Sequence, residues 1–213
     1  MYHIYCHFSA FDTIWNETDP PKAETNDERT KTKESEENAR KSREAADRLF
    51  PGEEWEKVED GIYRSSRKKT GKNTNYKGEL KDAQILRNLG NVVYLVPEKR
   101  TNEGNYDAIV NGLEFEFKNV GGNANTLATQ FLRSRAQAPN VFINLECSAM
   151  TSREVISTLY NARNKQTHVD HDGNSIKGYD DSNKFSGGRI ILKLRGKKSL
   201  TYLDADDLKR PSG

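Results

Sequence analysis

The chain has 213 residues, of which 33% are hydrophobic and 31% charged, and its formal net charge is +2 at pH 7. This length suits one domain of ordinary size with an extension, and the low hydrophobic fraction excludes a chain that is core throughout. Cys6 and Cys147 are too few and too distant for a disulfide framework, and no apolar run reaches the length of a membrane span. The first 15 residues also lack the pattern of a signal peptide. We therefore expect a soluble protein with no membrane partner, acting in a cytoplasm.

Residues 1–72 are predicted to form an N-terminal extension ahead of a main domain at residues 73–213. Between residues 16 and 48 the only apolar side chains besides proline are alanines. This composition is typical of a charged linker, either disordered or a solvated helix, and residues 36–49 are its most helix-like part. Further along, residues 64–69 form a basic run. It is either a solvated loop or a segment that binds a phosphate backbone through Lys68 and Lys69.

The main domain is predicted to begin with a helix over residues 78–89, ended by Gly90, because glycine permits a left-handed C-terminal turn. Glu79, Ala83 and Leu86 have the spacing of one helical stripe, and this stripe should face the core. A glutamate on such a stripe has two explanations. It is either a first-turn carboxylate favoured by the helix dipole or an acidic group that reaches a functional site.

A buried strand stopped by Pro97 is predicted next, and a hairpin follows it over residues 107–120. Asn111-Gly112 is the dipeptide best suited to a two-residue turn. In the second strand of this hairpin, alternation places Phe115 and Phe117 on one face and Glu116 and Lys118 on the other.

The hairpin carries an acidic residue at the start of one strand, Asp107, and Glu116-Phe-Lys118 in the next. Two such carboxylates supply hard oxygen ligands for Mg²⁺, Mn²⁺ or Zn²⁺. A lysine beside them can stabilise charge on a phosphate or help to activate a metal-bound water. The alternative is a solvated edge hairpin with a Glu/Lys ladder across it.

A helix of about a dozen residues is predicted to follow and to end before Pro139. Gln130, Ser134 and Gln137 form a polar stripe along it. The stripe either faces water or supports the site, with Gln130 orienting a water or a phosphate oxygen and the other two contacting nucleic acid.

The remaining elements are a strand over residues 141–145, a helix opened by the capping box Thr151-Ser-Arg-Glu154, and a closing hairpin over residues 189–203. From residue 78 onward the predicted order is helix, strand, strand, strand, helix, strand, helix. Between the last helix and the closing hairpin lie His168 and His171. They belong to an exposed loop or serve as a nucleophile or general base.

With Glu79, Asp107, Glu116-x-Lys118 and Gln130 in this order, the chain resembles the PD-(D/E)XK nuclease superfamily. More narrowly, Asp107-Ala-Ile-Val-Asn-Gly, Glu116-Phe-Lys118 and Gln130-x-x-x-Ser134-x-x-Gln137-Ala-x-Asn140-Val are similar to the C-terminal toxin domain of CdiA proteins. These are the effectors of contact-dependent growth inhibition, and some of them cleave tRNA and others DNA. The resemblance covers roughly residues 76–146, and Tyr106 stands where the superfamily name has proline.

The resemblance implies an α/β (α+β) fold with a mixed central sheet flanked by helices and a restriction-endonuclease-like core of order α-β-β-β-α-β. It implies a metal-dependent endonuclease toxin whose substrate is tRNA in preference to DNA, with an immunity protein as a further partner. The implied ligands of one divalent cation are Glu79, Asp107 and Glu116, with Lys118 as a catalytic group and Gln130 in support.

Two other functions stay open at this point. One is a metal-independent ribonuclease toxin of the barnase, EndoU or colicin type, for which His168 or His171 would carry the acid–base work. The other is a non-catalytic nucleic-acid-binding module of a mobile element, in which the carboxylates are surface groups.

Overall fold

The computed structural model describes residues 27–71, 74–98, 106–164, 188–205 and 208. In these ranges the helices are α1 (Asp27–Leu49), α2 (Tyr76–Arg87), α3 (Ala124–Arg135) and α4 (Ser152–Asn164). The strands are β1 (Trp55–Glu59), β2 (Ile62–Ser65), β3 (Val93–Leu95), β4 (Ala108–Val110), β5 (Leu113–Asn119), β6 (Asn140–Leu145), β7 (Arg189–Leu194) and β8 (Thr201–Asp204). His168 and His171 lie outside the described residues.

Within the described part of the chain, all eight strands form one sheet, and their order in the sheet follows their order in the sequence. The pairs β2–β3, β5–β6 and β6–β7 are parallel, and the other neighbouring pairs are antiparallel. The connection between the strands of each parallel pair contains a helix: α2 for β2–β3, α3 for β5–β6 and α4 for β6–β7. The expected α/β class with a mixed sheet is confirmed, and α2 to β6 run in the expected order α-β-β-β-α-β.

The helices cover both faces of the sheet, because apolar side chains alternate along its central strands. On one face α2 packs through Ala83 and Leu86 against Phe115, Phe117 and Phe142. On the other face α3 and α4 pack against alternate residues of β6 and β7, and against Val120 just after β5, in a second cluster. A third cluster joins α1 to β3 and β4. The β4–β5 hairpin, which carries the predicted site, therefore lies in the middle of a three-layer structure.

The predicted β4–β5 hairpin is confirmed with its turn and register. Asn111 and Gly112 both have positive φ, at 48° and 84°, as a two-residue turn that follows the strand twist requires. Ala108 pairs with Phe115 and Val110 with Leu113. This register leaves Asp107, just ahead of β4, beside the middle of β5.

The region ahead of residue 73 contributes to the same sheet. β2 pairs in parallel with β3, and β1 forms the edge beyond it. In α1, Ala45 and Ala46 are buried against the sheet, so this part of the predicted charged linker is a packed helix. The domain boundary between residues 72 and 73 stays a prediction, although strands from both sides of it share one sheet.

The turn of the hairpin is the part that α1 touches. The Gly112 backbone N–H donates a hydrogen bond to Ser42 Oγ at 3.1 Å, and Ser42 Oγ donates to the Val92 carbonyl at 3.3 Å. A Cβ at Gly112 would lie 3.1 Å from Lys41 Cβ.

None of the helices in the described ranges is long and apolar enough to cross a membrane.

Candidate active site

Asp107 is held in place by the backbone of β5 on two sides. Its N–H donates to the Phe115 carbonyl at 3.0 Å, and its Oδ2 accepts a hydrogen bond from the Phe117 N–H at 2.8 Å. Both contacts follow from the hairpin register, which is set by the tight turn. The position of this carboxylate is therefore determined by main-chain hydrogen bonds and not by a flexible loop.

Glu116 lies on β5 between Phe115 and Phe117, the two residues whose backbone contacts Asp107, and it is only 2% exposed. Its Oε1 accepts a hydrogen bond from Lys118 Nζ, two residues along the same face of the strand. Its Oε2 is buried and has no hydrogen-bond partner among the described residues. A buried carboxylate oxygen without a partner is costly, so this atom marks a place where a ligand would be favoured.

Both hairpin carboxyl groups have a raised pKa, chiefly because they are buried. Burial raises the pKa of Glu116 to about 8, the negative charge of Asp107 adds to this effect, and the Lys118 ammonium opposes it. Burial also raises the pKa of Asp107, against the Phe117 N–H and the charges of Lys118 and Lys68. Because both groups are ionised only at a cost, a cation that bound between them would be strongly favoured.

Glu79 lies in the first turn of α2 and is 9% exposed. Burial raises its pKa, Lys68 opposes that shift, and the charge of Asp107 reinforces it. The charge of Asp107 therefore acts on both Glu79 and Glu116. A first-turn carboxylate that served the helix dipole alone would be solvated, and Glu79 is not.

For Lys68 the sequence predicts either a solvated loop or a contact with a phosphate backbone, and the structure instead buries it. Its side chain is 3% exposed, and its Nζ lies 2.6 Å from Glu79 Oε2. Lys69, the next residue, is exposed and lies 3.7 Å from a carboxylate oxygen of Glu98. Lys68 is therefore an internal counter-ion of the carboxyl group, while Lys69 remains accessible to a polyanion.

The predicted polar stripe lies only partly on α3, since the helix ends at Arg135 and Gln137 follows it in a turn, and it is only partly on the surface. Ser134 is fully buried, and its Oγ donates to the Gln130 carbonyl at 2.7 Å. In this conformation the Ser134 hydroxyl therefore cannot contact nucleic acid. Gln130 and Gln137 are half-buried, and their predicted roles stay predictions.

One buried acid beside this group was missed from the sequence. Asp82, three residues after Glu79 on α2, is fully buried. Its Oδ2 accepts from Asn119 Nδ2 at 2.6 Å, and its Oδ1 accepts from Asn144 Nδ2 at 2.8 Å. Burial raises the pKa of Asp82 to about 6 despite both amide contacts. Its i, i+3 spacing from Glu79 was the available signal, because it places both acids on one helical face.

The donor set fits a cation that needs few protein ligands. Among the residues that the structure describes, no group of three or more His, Cys, Asp or Glu side chains is arranged to hold a metal ion. Asp107 and Glu116 nevertheless offer two hard carboxylates, one with an unpartnered oxygen. Mg²⁺ commonly takes one or two carboxylates and completes its shell with water and substrate phosphate. The pair therefore suits such an ion, while Glu79 is engaged by Lys68.

Comparisons with known proteins give one structural likeness. No protein-family model matches the chain, and no curated protein matches it. Among solved structures, a CdiA-CT/CdiI toxin and immunity complex from Burkholderia pseudomallei is similar at 20% identity with a TM-score of 0.43. The match covers 65% of this chain and 95% of that one. These values are too low to assign a function.

Proposed function

We propose that this protein is a metal-dependent endonuclease toxin that hydrolyses phosphodiester bonds, with tRNA preferred over DNA, and that an immunity protein restrains it. The observation that carries the proposed chemistry is the buried Asp107–Glu116 pair, with an unpartnered carboxylate oxygen beside the Lys118 ammonium. The toxin role, the substrate preference and the immunity partner rest on the resemblance of the hairpin and the following helix to CdiA toxin domains.

In this proposal Asp107 and Glu116 hold the divalent cation, Mg²⁺, Mn²⁺ or Zn²⁺. When bound, it would polarise the phosphate and lower the pKa of the attacking water. The Phe117 N–H fixes the Asp107 carboxylate, so that group needs little reorganisation on binding. Burial of Glu116 excludes competing water from its unpartnered oxygen.

Lys118 contributes the one cationic side chain on the Glu116 face of β5. Its side chain is 21% exposed, which is enough for the ammonium to reach a bound phosphate. A cation beside Glu116 would compete with the present ion pair and would release this ammonium toward the substrate. The lysine then stabilises charge that develops on the phosphate oxygens.

Glu79 and Lys68 form the second charged pair of the site. Lys68 opposes the rise that burial causes in the pKa of Glu79, and its charge also lowers the pKa of Asp107. We assign Glu79 the role of a third carboxylate that orients the attacking water or joins the metal shell once Lys68 has shifted. Gln130 is assigned a supporting role on the following helix.

The test is cleavage of total tRNA and of plasmid DNA by the purified chain in Mg²⁺, Mn²⁺, Zn²⁺ and EDTA. Glu116→Gln is the site variant, and Glu114→Gln is the matched control on the same face of β5. We expect metal-dependent loss of one substrate, preserved in the control and reduced at least about 100-fold in the site variant. Cleavage that persists in EDTA, or that survives in Glu116→Gln, would contradict the proposed chemistry.

The immunity partner is tested separately, by co-expression in a bacterial host whose growth the chain inhibits. Genes that flank the coding sequence are screened for one that restores growth and whose product co-purifies with this chain. Growth that needs no neighbouring gene while active nuclease accumulates would contradict a toxin role and leave the hydrolytic chemistry untouched.

A further inference from the structure

The Asp82 contacts join the helix of Glu79 to the strand of Glu116 and Lys118. Asn119 immediately follows Lys118 at the end of β5, and Asn144 lies beside it in β6, paired in parallel register. Both side-chain amides donate to the same Asp82 carboxylate, one to each oxygen. Three elements, α2, β5 and β6, therefore meet at one buried acid.

Burial of the Asp82 carboxylate lowers the stability of the fold, so a contribution to stability does not by itself explain this residue. Asp82 is fully buried, and among the described residues no lysine or arginine forms an ion pair with it. Neutral amides offset only part of the desolvation of a carboxylate, since its pKa is still raised. An apolar residue in its place would avoid that cost, so the acid calls for a reason in the neighbouring site.

The geometry supplies such a reason. Glu79 and Asp82 are three residues apart on one helical face, so the contact that fixes Asp82 also fixes the rotation of α2 about its axis. That rotation sets the direction of Glu79. The strand end that grips Asp82 is contiguous with Lys118, whose ammonium contacts Glu116. Asn144 is itself held, because its Oδ1 accepts from the Glu146 N–H at 3.1 Å.

We propose that Asp82 is a positioning residue that locks α2 against the carboxyl ends of β5 and β6 and so holds Glu79 in register with Glu116 and Lys118. The catalytic consequence rests on the proposed nuclease function, while the mechanical one does not. Asp82 does not touch substrate. It acts through the helix that carries Glu79.

The decisive pair of variants exchanges donor and acceptor. Asp82→Asn removes one acceptor and sets two amide NH₂ groups against each other. The double variant Asp82→Asn/Asn144→Asp restores the pairing: residue 82 then accepts from Asn119 and donates to the new carboxylate. The second oxygen of that carboxylate keeps the contact with the Glu146 N–H. Asp60→Asn is the matched control, because the Asp60 side chain is 94% exposed.

Two readouts are measured on all of these proteins. The first is kcat and KM on the cleaved nucleic acid. The second is backbone hydrogen exchange of α2 and the end of β5, with α4 as the internal reference. In Asp82→Asn we expect kcat to fall by about 10- to 100-fold with KM little changed, since a misplaced group costs the chemical step more than binding. Exchange should accelerate in α2 and not in α4, and the double variant should restore both readouts.

Each other result decides against the proposal. Wild-type kcat in Asp82→Asn, or faster exchange in α4 equal to that in α2, would reduce Asp82 to an ordinary contribution to stability. A folded double variant that stays slow would overturn the proposal even if Asp82→Asn alone does not fold. If the wild-type protein cleaves nothing, the proposed function fails. The exchange data then still decide whether Asp82 locks α2: protection from exchange should be lost locally in the single variant and recovered in the double variant.

Discussion

Replacing Glu116 with glutamine should stabilise the fold while it removes activity. The pKa of Glu116 is raised from its ordinary value of 4.5 to about 8, so the folded protein binds the carboxyl proton more tightly than the unfolded chain does. The carboxylate therefore destabilises the fold progressively as pH rises above about 4.5, and the effect levels off above about 8. Glutamine keeps the shape of the side chain and cannot ionise.

The magnitude follows from the pKa shift at about 1.4 kcal/mol for each pKa unit. The gain in the free energy of unfolding should be about 1 kcal/mol at about pH 5.5 and about 4 to 5 kcal/mol at about pH 8.5. These values already include the attraction of Lys118, which is one cause of the net shift. For a chain of this length, 1 kcal/mol moves Tm by about 2–4 °C. The advantage of Glu116→Gln should therefore grow from about 3 °C to about 10 °C or more.

The assay is thermal unfolding of wild-type protein, Glu116→Gln and Glu114→Gln at both pH values, in metal-free buffer. Glu114 lies on the same strand and the same face, is half-buried, and undergoes the same chemical change. The control should follow wild-type protein at both pH values. A Glu116→Gln variant that is less stable than wild-type protein, or whose advantage does not change with pH, would refute the argument that ionisation of the buried Glu116 carboxyl group destabilises the fold.

Three further predictions concern other parts of the molecule. Lys118→Ala should lower cleavage at least about 100-fold with an unchanged far-UV spectrum, and wild-type turnover in this variant would remove the lysine from the mechanism. Gly112→Ala should cost about 2 kcal/mol in denaturant unfolding, because φ is 84° and the new Cβ would crowd Lys41. Gly52→Ala has a similar φ of 77° and open space, so it should cost about 1 kcal/mol less, and equal losses would contradict the steric argument. Thr151→Ala should cost about 1 kcal/mol, because its Oγ1 accepts from the Glu154 N–H at 3.3 Å, and an unchanged unfolding midpoint would contradict that cap.

The parts of the fold that the sequence predicted are those fixed by local chemistry. The Asn111-Gly112 turn determines the register of its own hairpin, and alternation in β5 separates Phe117 from Glu116. The Thr151 capping box likewise forms between neighbours in sequence. Such features need no knowledge of distant segments, so residue types and spacing were sufficient.

The parts that the sequence missed depend on contacts between distant segments. Lys68 belongs to a basic run that looks solvated, and only the packing of α2 beside its loop buries it against Glu79. Asp82 had the spacing of Glu79, but its partners come from β5 and β6. Those two strands are joined by a segment that contains α3, so their register cannot be predicted from the residues of a tight turn. The docking of α1 was missed for the same reason, since its buried residues, among those described, are only small ones, Ser42, Ala45 and Ala46.

The contact between α1 and the hairpin turn also has a mechanical consequence. Ser42 accepts the Gly112 N–H and donates to Val92, so the last turns of α1 are fastened to the bend of the hairpin that carries the acidic pair. A force that tilts α1 would therefore act on that bend through Ser42. In this sense α1 is a lever on the hairpin, and it acts beside the two strands that position Asp107 and Glu116.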